Sequence, residues 1–488
     1  MFTLKDVFFA FIFIGLLILI GRLIQQKVRW MQKLYLPESV VAGFLALLLG
    51  PEFLGAIVSH FGGDELIIAQ GLFLEPIREV WQQAPSVFIN IVFAALFLGE
   101  SIPKPKEIWR KAAPQVIFGQ SLAWGQYVVG ISLTLLILVP LFHINPTAGA
   151  LIEIAFEGGH GTAAGMQDTF ANLNFPEGED LALGLATVGI VSGIVAGTFL
   201  ANWGRKKGYI QTFQKEGQHL PEYEGIAREE CQEDETELMR LKRAQLMQNL
   251  LIDPLSLNFG FVSLAVAIGW LILKALVGIE SLTWGQTGLE LMVYIPLFPM
   301  TLVGGIILQL ILRKLGLDAL IMRSVMNNLA GLALDIVVVT ALASISLKVL
   351  GSNLGPFLIL SIAGIIWNIF AFVYLAPRLI PSYWFERGIG DMGQSMGVTA
   401  TGILLLRMVD PENKSGAFES FAYKQLFFEP IVGGGLFTAT APILIIQFGS
   451  VAILVLTAIL LAFWLIVGFT LFGKSARQAR LAEKCNKQ

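Results

Sequence analysis

The hexapeptide Glu157-Gly158-Gly159-His160-Gly161-Thr162 interrupts an apolar run that spans residues 147–173. This run is named the first hairpin segment. A second apolar run, residues 386–408, is interrupted by four glycines (Gly388, Gly390, Gly393 and Gly397) and is named the second hairpin segment. Closely spaced glycines weaken a helix and permit backbone conformations with positive φ. Each segment is therefore either a broken helix that crosses an apolar layer or a hairpin that turns back within it.

The composition of the chain predicts a multi-pass, all-α integral membrane protein. Of its 488 residues, 55% are hydrophobic and 14% are charged, whereas about a quarter of the residues of an ordinary soluble domain are charged. The charges lie between apolar runs of about 20 residues, the length that spans a hydrocarbon core about 30 Å thick. The formal net charge of −3 argues against a nucleic-acid partner. Cys231 and Cys485 lie in polar segments, so we expect no disulfide and no thiolate metal site.

Other apolar segments are predicted to cross the lipid bilayer as helices. They lie near residues 4–24, 38–58, 85–103, 112–141, 180–203, 253–277, 287–312, 328–349, 355–376, 425–447 and 449–472. A polar stretch at 204–250 contains an acidic-then-basic run, Glu229–Arg243, whose charges can pair along a helix. We interpret this stretch as a linker between two membrane halves.

The distribution of basic residues decides between crossing helices and hairpins, because Lys and Arg concentrate in cytoplasmic loops. If both hairpin segments are re-entrant and the N-terminus is outside, all but four of the 33 basic residues fall on the cytoplasmic side; the exceptions are Lys5, Arg78, Lys274 and Lys348. If 147–173 crosses fully instead, the basic 204–250 stretch and the acidic 174–180 loop exchange sides. The sequence therefore favours two re-entrant hairpins, with both the linker and the C-terminus in the cytoplasm.

Each half then contains five crossings and one hairpin in the same order, and an odd number of crossings inverts the second half. Inverted repeats are common in secondary transporters. We therefore predict a first repeat at 1–203 with hairpin 147–173, a cytoplasmic linker at 204–250 and a second repeat at 251–447 with hairpin 386–408. Residues 448–488 form an extra helix and a basic cytoplasmic tail, and the two hairpins enter the membrane from opposite sides.

The hairpins are the predicted binding site, because irregular backbone at membrane depth is tolerated only where it meets protein or a watery cavity. Half-helices beginning near Thr162 and near Ser395 or Gly397 would direct their positive ends at an anion. No Lys or Arg lies near the middle of a predicted crossing segment, so hydroxyls, amides and helix ends would hold an anionic substrate and sodium would supply the compensating charge. The predicted substrate-binding residues are Glu157, Gly158, Gly159, His160, Gly161, Thr162, Gln394, Ser395, Gly397 and Thr399.

Sodium is predicted to bind near Asp335, Asn328 and Thr401 as a coupling ion, and no other cofactor is expected. An ionisable residue in a crossing segment, such as Asp335, is by default a candidate for function. Other interpretations remain open: the glycines could be helix contacts, His160 could brace the turn, and Glu153, Glu157 and Asp168 could face water.

Short motifs in both halves resemble those of the bacterial sodium/glutamate symporters. Gly158-Gly159-His160-Gly161-Thr162 matches that family's Gly-Gly-His-Gly-Thr. Leu36-Pro37-Glu38-Ser39-Val40-Val41-Ala42-Gly43 is similar to its Ile-Pro-Glu-Pro-Val-x-Gly-Gly, and Ala186-Thr187-Val188-Gly189-Ile190-Val191-Ser192-Gly193 to its Ala-Thr-Phe-Gly-Leu-Val-x-Gly. In the second half, Ile295-Pro296 with Val303-Gly304 looks like a family pattern. Gly393-Gln394-Ser395-Met396-Gly397-Val398-Thr399-Ala400-Thr401 is similar to Gly-Phe-Gly-Leu-Gly-Ala-Thr-Pro-Thr.

The resemblance implies sodium-coupled uptake of glutamate or a similar small anionic amino acid across the bacterial cytoplasmic membrane. It also implies a homodimer with a fixed scaffold and a moving domain built around two opposed hairpins. Three features depart from the family pattern: Glu157 stands where the family usually has Ser, Asp391-Met392 stands where it has His-Cys, and the linker and final helix are additional.

Two other functions have partial support in the sequence. A proton-coupled or uncoupled carrier of another carboxylate is suggested by Glu157. An intramembrane aspartyl protease is suggested by Gly388-Ile389-Gly390-Asp391, with Asp335 as the second carboxylate, but such enzymes also carry Tyr-Asp and Pro-Ala-Leu motifs, whereas Leu334 precedes Asp335 here and Pro-Ala-Leu is absent from the sequence. We expect a transporter and not an enzyme.

The predicted topology can be tested with single cysteines at Asn174 and Asn413, in a chain whose Cys231 and Cys485 are replaced by serine. A membrane-impermeant maleimide should label position 174 from outside and position 413 from the cytoplasm, because the two loops follow hairpins of opposite orientation. Labelling of both positions from the same side would contradict the inverted repeat.

Overall fold

The computed structural model describes residues 2–28, 31, 36–63, 66–100, 105–210, 253–287 and 291–485, and within these ranges the chain consists of helices and loops without a β-strand. The predicted helical run Glu229–Arg243, and most of the predicted linker, lie outside the described residues. Nine of the described helices are long and apolar enough to cross a membrane. The prediction of an all-α, multi-pass membrane protein is therefore confirmed.

The helices are labelled in chain order. The first half contains α1 Leu4–Lys27, α2 Glu38–Leu49, α3 Ala56–Gly62, α4 Glu75–Ala95, α5 Pro105–Leu133, α6 Val139–Phe142, α7 Leu151–Phe156, α8 Gly159–Gly165, α9 Gln167–Asn172 and α10 Glu177–Lys207. The second half contains α11 Pro254–Leu282, α12 Leu297–Leu315, α13 Arg323–Ala343, α14 Leu347–Ser352, α15 Leu354–Phe370, α16 Ala376–Leu379, α17 Trp384–Val409, α18 Ala417–Phe428, α19 Leu436–Phe448, α20 Ser450–Leu471 and α21 Gly473–Cys485.

Short π-helical and 3₁₀ turns connect several of these helices. The π-helical turns Pro51–Gly55, Thr134–Leu138 and Ala371–Leu375 join α2 to α3, α5 to α6 and α15 to α16. The 3₁₀ turns are Ile67–Gln70, Pro146–Ala150, Trp284–Thr287, Met292–Tyr294 and Asp318–Leu320.

Three predicted crossing segments differ most from the observed helices. The segment 85–103 is displaced towards the C-terminus, because the polar side chains between Glu75 and Gln83 hide the first turns of α4. The segment 287–312 begins too early, because the extended residue Pro296 (ψ 159°) precedes the first residue of α12. The third difference, at 425–447, is a break in the chain.

The predicted single helix at 425–447 is wrong. In its place α18 ends at Phe428 and α19 begins at Leu436. Pro430 lacks a backbone donor, and Gly433 and Gly434 have φ of 72° and 102°, a region that favours glycine. Residues 429–435, here called the third break, therefore expose backbone groups among the helices.

Both predicted hairpin segments double back on themselves. The Asn145 side chain donates hydrogen bonds to the carbonyl oxygens of Leu173 (3.2 Å) and Asn174 (3.3 Å), so the two ends of the first segment are adjacent. In the second segment, α17 leaves helical geometry at Gly397 and Val398, which divide it into a first and a second arm. The arms lie side by side, because a Cβ atom on Gly402 would lie 2.6 Å from the Gly390 carbonyl oxygen. That both segments are re-entrant in a bilayer, and opposed, stays a prediction.

The helices pack in two groups, each with elements from both halves of the chain. In the first group, α11 packs on α12, α13 on α2 and α4, and α1 on α2. In the second group, α17 packs on α10, and α18 and α20 pack on α5. The first hairpin segment joins the groups, because α8 contacts both α10 and α13. The two hairpin segments therefore lie inside the molecule.

Candidate functional site

The tips of the two hairpin segments meet at Gly159 and Val398. Gly159 has a φ of 67°, and a Cβ atom at this position would lie 2.2 Å from Val398 Cγ1. Val398 itself has φ 63° and ψ 173°, a conformation that is almost restricted to glycine. A β-branched residue holds such a conformation only where its surroundings enforce it. The contact between the tips is therefore one that a side chain on Gly159 would disrupt.

A direct hydrogen bond joins the two tips beside this contact. The Ser395 hydroxyl donates to Glu157 Oε1, whereas Glu157 Oε2 is buried without a hydrogen-bond partner. Glu157 is only 3% exposed. The interpretation that Glu157 faces water is therefore wrong in this conformation. An ionisable group buried in a membrane protein is costly and is a functional candidate by default.

Glu153, one helical turn before Glu157, connects the first hairpin segment to the third break. It is fully buried. Its Oε1 accepts hydrogen bonds from the Gly433 amide (2.8 Å) and the Thr438 hydroxyl (2.8 Å), and its Oε2 accepts one from the Tyr127 hydroxyl (2.5 Å). The interpretation that Glu153 faces water is therefore wrong as well. Because neutral donors surround the carboxyl, Glu153 anchors the glycine-rich break.

Lys424 on α18 places a fully buried ammonium group against the second hairpin segment. Its Nζ lies 3.1 Å from Asp391 Oδ1, donates to Gln394 Oε1 at 2.7 Å and lies 4.3 Å from the centre of the Phe428 ring. The expectation that the predicted site would contain no buried cation is therefore wrong. Lys424 stands one residue before the predicted segment 425–447. The apolar pattern of the sequence therefore did not indicate that its side chain is buried.

Gln425, the next residue, links the two arms of the second hairpin segment. It accepts a hydrogen bond from Gln394 Nε2 (3.0 Å) and donates one to Thr399 Oγ1 (2.9 Å). The Thr399 hydroxyl donates in turn to Glu429 Oε1 at 3.2 Å. The predicted residues Gln394 and Thr399 are thus brought together by residues that sequence reasoning missed.

The first arm is also held from the side of α5. Gln126 Nε2 donates to the Ser395 carbonyl (2.7 Å) and to Asn368 Oδ1 on α15 (3.2 Å). Both amide side chains are fully buried. Polar side chains in apolar helices were the only signal that could have identified Gln126.

The remaining predicted residues of the first hairpin segment have mainly structural contacts. His160 Nε2 lies 2.9 Å from Thr187 Oγ1, whose hydroxyl donates to the Leu183 carbonyl, so Nε2 is the donor and His160 braces α10. A Cβ atom on Gly161 would meet only the ends of Ile89 and Leu334.

The predicted half-helix starts are displaced. In the first hairpin segment the helix begins at Gly159 rather than near Thr162, and Thr162 packs against Gly158. In the second, Ser395 and Gly397 end the first arm, and the second arm follows Val398. The left-handed tip residues, rather than the predicted starts, set these boundaries.

The three predicted sodium ligands are distributed over two elements. Asp335 is half-buried on α13, Asn328 is exposed on the same helix, and Thr401 lies on the second arm with its hydroxyl donating to the Gly397 carbonyl at 2.5 Å. Within the described part of the chain, no group of three or more His, Cys, Asp or Glu side chains could hold a metal ion. The glycines of the protease-like motif are packing sites, since a Cβ atom on Gly390 would meet Leu406.

Comparison with known proteins agrees with the motifs. A family model described as Sodium/glutamate symporter matches residues 4–410. A curated sodium/glutamate symporter of Haemophilus influenzae is similar to the chain, with 24% identity over 249 residues. That alignment covers 50% of this chain and 54% of the relative, so the chain spans about half the length of the curated relative that it matches. No solved structure matches the chain. Lys424 and the third break lie beyond the residues that the family model matches.

The contact between the tips predicts unequal effects of two neighbouring glycine substitutions. Gly159→Ala should destabilise the purified protein by about 1–3 kcal/mol, because its Cβ atom overlaps the stiff Val398 side chain and its φ is strained. Gly161→Ala, the matched control, should cost less because it meets only flexible side-chain ends. Thermal unfolding of both variants measures this, and Gly159→Ala combined with Val398→Gly should recover part of the loss. Equal shifts for the two single variants would contradict the tip contact.

Proposed function

The chain belongs to the sodium/glutamate symporter family, and on this premise we propose that it takes up glutamate or a similar small anionic amino acid together with sodium by alternating access. The observation that carries the proposal is the buried polar cluster where the hairpin tips meet. The cluster contains the carboxyl groups of Glu153, Glu157 and Asp391 and the ammonium group of Lys424. Such groups in the apolar interior of a membrane protein mark substrate and ion pathways.

The charge balance of this cluster supports cotransport with a cation. Among the described residues, this cluster buries three carboxyl groups and one ammonium group, so an anionic substrate adds negative charge where acidic groups already outnumber basic ones. Charge buried in a medium of low dielectric must be paired or neutralised. A sodium ion that enters with the substrate provides that neutralisation.

The arrangement of the two helix groups supports alternating access. Following the family resemblance, we infer that the first group is a fixed scaffold with the dimer contact of a homodimer. The second group, with the two hairpin segments, then moves the site across the cytoplasmic membrane. In this proposal the N-terminus is outside and the C-terminus is in the cytoplasm, and sodium binds near Asp335, Asn328 and Thr401.

A second candidate function is a proton-coupled or uncoupled carrier of another carboxylate. The buried Glu157 carboxyl favours this second function, because Oε1 accepts a hydrogen bond from Ser395 and Oε2 has no hydrogen-bond partner. A carboxyl group in this position can hold a proton in place of a metal ion.

Uptake by the purified protein in liposomes separates these functions. An inward sodium gradient should raise uptake of labelled glutamate severalfold over choline, because the cation neutralises the buried carboxylates. A panel of other amino acids and dicarboxylates defines the substrate class. Uptake that responds to a proton gradient and not to sodium would support the second candidate instead.

Glu157 is predicted to bind the amino group of the substrate. Glu157→Gln should weaken binding of glutamate by about tenfold or more, equivalent to about 1.4 kcal/mol, and should spare a dicarboxylate without an amine. Glu157→Ser is the comparison, and if Glu157 only repels the substrate, this variant should tighten binding of both classes. Equal losses for glutamate and the plain dicarboxylate would show that no amine pairing occurs. The measurement is equilibrium binding at saturating sodium.

A further inference from the structure

Resting on the proposed function, we propose that Lys424 binds a carboxylate of the substrate, and that Asp391, which Lys424 then leaves, binds a coupling cation at a site separate from the sodium site proposed near Asp335. Neither residue was predicted from the sequence to bind substrate or ion, and Lys424 lies beyond the residues that match the family model. The buried ion pair opens when substrate binds, and Lys424 and Asp391 then each take a new partner.

Lys424 has the geometry of a group that can change its partner. An ammonium group has three N–H donors, and the structure uses one for Asp391 Oδ1 and one for Gln394 Oε1. A Cβ atom on Gly119 would lie 2.9 Å from Lys424 Cε, so the absence of a side chain on α5 makes room for the lysine. The Phe428 ring under the ammonium group stabilises the cation without occupying a donor.

The ammonium group and the Glu157 carboxyl lie against one face of the first arm. Asp391 and Gln394, which contact Lys424, and Ser395, which contacts Glu157, are spaced three and four residues apart and so share a helix face. Positions 391 and 395 differ by about 6 Å along the helix axis. A cation and an anion against the same helix face are complementary to a small amino acid, whose carboxylate pairs with Lys424 and whose amine pairs with Glu157.

Unpartnered carboxyl oxygens support both parts of the exchange. Glu157 Oε2 and Asp391 Oδ2 are buried and have no partner with full hydrogen-bond geometry among the described residues, although the Gln115 side chain lies beside the Asp391 carboxyl. Buried polar atoms are normally paired, so two such oxygens beside one buried ammonium group indicate sites for positively charged ligands. The amine of the substrate fits the first oxygen, and a sodium ion fits the second.

Charge balance makes cation binding at Asp391 dependent on the substrate. When a substrate carboxylate takes Lys424, Asp391 loses the ammonium group that forms its ion pair, and Gln394 Oε1 loses its donor. Carboxylate and amide oxygens are the hard ligands that sodium, like other hard cations, prefers. Substrate binding therefore creates the cation site, and by thermodynamic reciprocity the cation strengthens substrate binding.

Equilibrium binding of glutamate to the purified full-length protein, measured across a sodium series at constant ionic strength with choline, tests the exchange. Lys424→Gln should weaken glutamate binding at saturating sodium by about tenfold or more. Asp391→Asn should bind glutamate more tightly than wild type without sodium, because Lys424 is then unpaired. The glutamate affinity of Asp391→Asn should depend on about one sodium ion fewer than that of wild type.

The double variant Lys424→Gln/Asp391→Asn distinguishes a binding role of the pair from a structural one, because removing one positive and one negative charge leaves the net charge of the cluster unchanged. We expect it to regain wild-type thermal stability while glutamate binding stays weak and depends on about one sodium ion fewer than in wild type. If the double variant regains wild-type affinity and sodium dependence, the pair is structural and the proposal is overturned. Asp335→Asn is the comparison for the cation, and loss of sodium dependence there with retention in Asp391→Asn would overturn the assignment of the cation to Asp391.

The wild-type protein distinguishes this inference from the proposed function. Sodium-dependent glutamate binding by wild type, with unchanged binding by Lys424→Gln, overturns the inference and leaves symport intact. Sodium-independent binding that Lys424→Gln still weakens supports the anion role of Lys424 and overturns coupling through sodium. No binding of glutamate or any other anionic amino acid overturns both.

Discussion

A buried ammonium group can neutralise only one carboxylate at a time, and the arrangement of the candidate site depends on that limit. Lys424 is fully buried beside Asp391, while Glu153 and Glu157 are buried nearby on the first hairpin segment. Glu153 is satisfied by hydroxyl and amide donors, so it has a structural role. Glu157 and Asp391 each retain an unpartnered oxygen. A transporter can exploit this imbalance, because an isolated buried charge is unfavourable and its neutralisation is a strong driving force.

Glycine allows these charged groups to come together. The hairpin tips approach closely because Gly159 has no side chain and adopts a positive φ. Lys424 reaches the second hairpin segment because Gly119 leaves room for its side chain. The third break depends on Gly433 and Gly434, whose left-handed backbone directs an amide at Glu153. Packing in membranes depends on such close approach, because lipid provides no hydrophobic force between helices.

The three irregular segments support one another through polar contacts. Ser395 of the second hairpin segment is hydrogen-bonded to Glu157 of the first, and Glu153 of the first hairpin segment is hydrogen-bonded to the third break. Gln425 on α18 is hydrogen-bonded to both arms of the second hairpin segment. Each segment supplies partners for groups that the others leave unpaired. Backbone that leaves helical geometry away from water must find such partners, which explains why the breaks are clustered and not scattered along the chain.

The sequence by itself determined that the chain is an all-α membrane protein, located most of its long helices, and predicted a binding site in the glycine-rich segments. Those conclusions depend on apolar length and glycine density, which are local properties. Only the tertiary structure decided that Glu157 is buried, that His160 braces Thr187, and that the helix predicted at 425–447 is broken. It alone brought Lys424 to Asp391 across 33 positions of the chain. Pairing between distant charges depends on how helices pack, and hydropathy along the chain carries no information about which buried group faces which.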